Sequence, residues 1–147
     1  MLTKILILVL FLGLTTCNSA NDLVSRDGGP SIQRESFDFY NKSPIDFISY
    51  LKTTDEPCVT IWRIYRGWIK EKDIPQLIEL LDSDEPCAPV QMAISSLPVS
   101  QRSTVGNEAA FLIEGFRKDR YPPDLNSTHY WKPNINKIRQ WWDKYSK

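Results

Sequence analysis

Histidine is almost missing from this chain: His129 is the only one among 147 residues. A Ser-His-Asp or Cys-His arrangement would have that single base to draw on. It sits in the polar stretch Asn126-Ser127-Thr128-His129, after Pro122-Pro123, and reads as an exposed loop residue. Cysteines number three, with no CxxC or other zinc spacing, so a structural metal site lacks ligands. Charge of one sign is not in excess, because 18 Lys and Arg face 18 Asp and Glu. That balance leaves no electrostatic footprint for nucleic acid or an anionic membrane. Gly106 and Gly115 are not followed by lysine or serine at the spacing of a phosphate loop. Long apolar runs are absent as well, since the stretch from Ile5 to Leu14 is about half of the roughly 20 residues a membrane-spanning helix needs. These absences lead to the expectation of a non-enzymatic protein with no metal and no cofactor.

The short apolar run has a different use. Lys4 stands before it and Thr15, Thr16 and Cys17 follow, the order of an export signal that ends at a cysteine. Leu14-Thr15-Thr16-Cys17 resembles a bacterial lipobox, and the resemblance implies that Cys17 is acylated and becomes the first mature residue. Gly, Ala or Ser normally stands where this chain has Thr16, and the alternative is cleavage after Ser19 or Ala20. Residues 1–16 are thus expected to be a signal peptide and residues 17–36, with Gly28-Gly29-Pro30, a flexible tether of roughly 20 to 25 Å reach. Residues 37–147 are enough for one domain with one core. With Cys17 assigned to lipid, Cys58 and Cys87 form an even pair in an oxidising compartment, where they can form a disulfide.

An internal repetition stands out: Asp55-Glu56-Pro57-Cys58 returns 29 residues later as Asp84-Glu85-Pro86-Cys87. Ile45, Ile48 and Leu51 before the first copy match Ile74, Leu77 and Leu80 before the second, so one supersecondary unit is expected twice. Ser43 with Pro44 can open a helix, as can Asp73-Ile74-Pro75. Pro57 and Pro86 are read as opening a second helix in each unit. Ile61, Trp62, Ile64, Tyr65, Trp68 and Ile69 fall on a helical stripe, which assigns the rings to the core. Val105, Ala109, Leu112, Ile113 and Phe116 give a further helix, stopped by Tyr121-Pro122-Pro123, and Pro133 introduces a last one through Ile135, Ile138, Trp142 and Tyr145.

From these units the chain resembles the short HEAT-like repeat proteins of bacteria over Ser43 to Tyr145, with Trp141-Trp142 in a tryptophan-rich closing helix. The resemblance implies an all-α fold, three helical hairpins stacked as a short right-handed solenoid, with a compact helical bundle as the alternative. It also implies a scaffold for protein binding and supplies no catalytic residues. Arg63, Arg66 and Lys70, at +3 and +7 from Arg63, are the expected partner-binding face. Arg117, Lys118 and Arg120 end another helix and can serve the same purpose. The functional expectation is a lipid-anchored cell-envelope protein, in the outer membrane or periplasm, that binds another protein. The alternative is an immunity or inhibitor protein against a secreted toxin or hydrolase, and an enzyme is the third reading.

Overall fold

The computed structural model describes residues 37–97, 99 and 101–147, all within one compact unit, Glu35–Lys147. The expected signal, the lipid site at Cys17 and the tether lie outside the described residues.

The domain mixes helices and strands, which overturns the all-α solenoid and the helical-bundle alternative. The order is α1 (Pro44–Thr53), β1 (Val59–Ile61), α2 (Ile74–Glu79), β2 (Pro86–Cys87), β3 (Val90–Met92), β4 (Ser103–Thr104), α3 (Val105–Arg117) and α4 (Ile135–Tyr145). Short 3-10 turns precede α2 and α4 at Glu71–Asp73 and Thr128–Tyr130. β1 pairs with β3 in parallel, Val59 opposite Val90, while β2 pairs with β4 antiparallel.

Helices form where the local signals for them are complete. Ser43 accepts from the Asp46 N–H and Asp46 answers through the Ser43 N–H, a closed capping box with Pro44 in the first turn. Thr104 caps α3 through the Asn107 N–H, and Asn134 caps α4 through the Lys137 N–H.

The two proline-led second helices do not exist. Each Asp-Glu-Pro-Cys segment instead follows a helix and runs into strand. Proline is tolerated at the first residue of a strand, and Val59-Thr60-Ile61 is a β-branched run whose side chains alternate in, out, in. The period is two, so the apparent helical stripe through 61–69 does not survive. Trp68 is buried at 4% exposure, but Trp62 is 70% exposed and Tyr65 49%. Gly67, at φ 74°, adopts a left-handed conformation that breaks any helix there.

The core is organised around α3, where Phe111, Leu112 and Ile113 are fully buried and against which α1, α2 and α4 pack. Gly106 makes this possible at the start of the helix. A Cβ at that position would lie 2.5 Å from the Leu81 carbonyl oxygen, and the Gly106 N–H donates to Ser83 O at 3.0 Å. An aromatic layer closes one side: Phe47, Trp68 and Tyr121 meet with ring centroids 5.6–6.1 Å apart, and the Trp68 indole N–H donates to Lys42 O at 3.0 Å. Among the described residues no helix is long and apolar enough to cross a membrane.

Candidate functional site

Helix α3 ends in a way that gathers cations. Its last turn closes with the Arg120 N–H on Gly115 O at 3.0 Å and the Asp119 N–H on Phe116 O at 3.1 Å, a Schellman motif. Asp119 occupies the left-handed position at φ 49°, where glycine is usual. The chain then doubles back, and Tyr121 O accepts the Ile64 N–H at 2.8 Å. This bond lays the segment after β1 against the end of α3. The result is a cleft of about 420 Å³ lined by Arg63, Ile64, Arg66, Lys118, Asp119 and Arg120.

Two basic groups that are remote in sequence thus meet in one place. Four cations and one carboxylate line the cleft, at the negative end of the α3 dipole where cations are favoured. Part of that charge is already satisfied. Arg66 Nε lies 3.6 Å from Asp119 Oδ2, Arg120 donates to Pro123 O at 2.9 Å, and Lys118 Nζ lies 3.4 Å from Glu114 Oε1. Arg63 has no ion pair among the described residues. Lys70 is exposed but stands apart: its N–H donates to Asp73 Oδ2 at 2.9 Å and it does not line this cleft.

Lys118 also lines a second cleft of about 420 Å³, with Glu114, Phe116, Arg117, Trp141 and Tyr145. Here the Arg117 guanidinium sits 5.1 Å from the Trp141 ring centre, and Trp141 and Tyr145 rings lie 5.2 Å apart. On the other flank Tyr65 stacks on Tyr40 at 5.8 Å, and both remain largely exposed. The rings expected inside at Trp62 and Tyr65 belong to the surface, and Trp68 alone of the three is in the core.

The opposite end of α3 holds a different arrangement, one that the sequence reading missed. Glu108 is fully buried, and its Oε1 accepts from Thr128 Oγ1 at 2.5 Å. Burial pushes its carboxyl up to about 8, so it carries a proton at neutral pH. The Ser103 hydroxyl, the Thr128 hydroxyl and the Val90 N–H favour the charged form, but burial outweighs them. Oε2 makes no hydrogen bond within the described residues. The signal for this residue was helical phase: Val105, Glu108, Leu112 and Gly115 share one face of α3, and all are buried.

Cys58 and Cys87 both feel Glu108 and are both free thiols. Burial, then the Glu108 charge, pushes Cys58 up to about 11 and Cys87 to about 12, which keeps them protonated and poor nucleophiles. The sheet register gives them different neighbours. Val59 faces Val90, so Cys58 is level with Pro89, while Cys87 pairs with Ser103 in the other sheet. His129 belongs to the 3-10 turn Thr128–Tyr130, and its side chain lies outside the described residues. Among the described residues no group of three His, Cys, Asp or Glu could hold a metal ion.

Comparison with family models, with curated proteins and with solved structures found no match for this chain.

Proposed function

We propose that this chain is a non-enzymatic, lipid-anchored protein of the bacterial cell envelope, held through Cys17, that binds another protein at the C-terminal end of α3. The observation that carries the reading is the meeting of Arg63 and Arg66 with Lys118 and Arg120 in one cleft, continued by Lys118 into a groove with Arg117, Trp141 and Tyr145. Arginine, tryptophan and tyrosine are the residues that dominate binding energy at protein interfaces. The excess of cations selects an acidic partner surface, and the aromatic groove takes an apolar or aromatic side chain beside it.

The test is capture from a membrane fraction by the tagged mature protein, followed by direct titration of the recovered partner. Arg63→Glu with Arg66→Glu should leave folding intact, weaken the affinity by roughly tenfold or more, and reduce its salt dependence. Lys70→Glu, outside the cleft, serves as the control. Equal affinity in all three proteins would sink the assignment of this face.

A further inference from the structure

We propose that the cleft at the N-terminal end of α3, to which Arg102 and Lys132 contribute, binds a compact oxyanion of the phosphate or sulfate type. The cleft encloses about 250 Å³, and Gln101, Ser103, Thr104, Asn107 and Thr128 complete its lining. Its two cations come from segments far apart in the chain, one leading into β4 and the other leading into α4. Among the described residues neither is engaged in an ion pair. No carboxylate lines the cleft, in contrast to the cation cluster at the other end of the helix, where Asp119 and Glu114 already take up charge. Two unspent positive charges match a dianion.

The floor between them is built rather than loose. The Asn107 amide donates to Ser103 Oγ at 3.3 Å and to Thr128 O at 3.0 Å, while its N–H goes to Thr104 Oγ1 at 3.2 Å. Thr128 lines the cleft although it is 1% exposed, and its hydroxyl is fixed on Glu108 behind. The positive end of the α3 dipole adds to the potential. The first N–H groups of the helix do not reach the ligand, because Val105 donates to Glu85 O and Gly106 to Ser83 O. Recognition therefore rests on side chains, with the arginine fork and the ammonium as the two charged donors.

This inference is independent of the protein-binding face at the other end of α3. The experiment is calorimetric titration of the full chain with sodium sulfate and sodium phosphate, at ionic strength held constant with chloride. Saturable binding is expected, reduced roughly tenfold or more by Arg102→Gln and by Lys132→Gln, and unchanged by Arg63→Gln with Arg66→Gln. Circular dichroism checks that each variant is folded. Binding that never saturates, or that is indifferent to Arg102 and Lys132, overturns the site and leaves an adventitious ion only. The source of the oxyanion is separated by sedimentation with vesicles, using the Cys17→Ser chain so that no acyl group holds it to the bilayer. Retention on phosphatidic acid but not on phosphatidylserine, lost in Lys132→Gln, assigns a lipid phosphomonoester. Saturable sulfate binding without vesicle retention assigns a soluble ion.

Discussion

At its C-terminal end α3 carries charge on the outside, in pairs that water screens; near its N-terminal end Glu108 is sealed in the core without a counter-ion. Exposed pairs such as Arg66 with Asp119 contribute about 0 to 1 kcal/mol each, so that end can be altered for recognition at little cost to the fold. A buried carboxyl, in contrast, ties the fold to pH. One helix thus separates what the protein can vary from what it must keep.

The largest effect is expected in the aromatic layer of Phe47, Trp68 and Tyr121. Trp68→Ala removes a buried ring and its bond to Lys42 O, and should cost about 3 to 5 kcal/mol, read as a large fall in melting temperature. A normal melting temperature would show that the layer is not the anchor of the domain.

Glu108→Gln sharpens the comparison next. The folded state holds the Glu108 proton to about pH 8, whereas the unfolded chain releases it near 4.5. Between those values unfolding releases a proton, so stability falls as pH rises, by at most about 1.4 kcal/mol per unit, and this contribution is flat on either side. Denaturant melts from pH 4.5 to 9 should show that slope in the native chain and its loss in Glu108→Gln. A slope that survives the substitution would locate the proton elsewhere.

Gly106→Ala comes third. Its new methyl would meet the Leu81 and Ser83 carbonyl oxygens at 2.5 and 2.9 Å, and relieving that contact should cost about 1 to 3 kcal/mol by chemical denaturation. The smallest effect is at the exposed rim: Trp62→Ala should change stability by about 0.5 kcal/mol or less. If Trp62→Ala proved as damaging as Trp68→Ala, the inner and outer assignment of the two rings would fail.

The sequence was legible where a structural signal lies entirely within one helix. Ser43, Pro44 and Asp46 define the start of α1 by themselves, and the apolar spacing from Val105 to Phe116 defines α3. It was misleading where identity depends on pairing. β1 and β3 have three residues each, too few for their alternation to stand out in the sequence, and what makes Val59 a strand residue is Val90 across the ladder. Trp62 and Trp68 looked alike because both fit a helical stripe, which the strand Val59–Ile61 and the left-handed Gly67 break. The site was half legible. Arg63, Arg66, Lys118 and Arg120 were visible as two basic groups, but their meeting depends on the Ile64 to Tyr121 contact. Glu108 was overlooked because a glutamate in a helix is ordinarily on the surface.

The late position of α3 in the chain has a bearing on how the protein comes to be made. Two of the elements that precede it, α1 and α2, pack on a helix that begins at Val105, while β1 pairs with β3. As the chain lengthens from its N-terminus, α1 and α2 lack that packing surface until roughly three quarters of it has been synthesised. The helices of the domain therefore gain their shared core only late in synthesis.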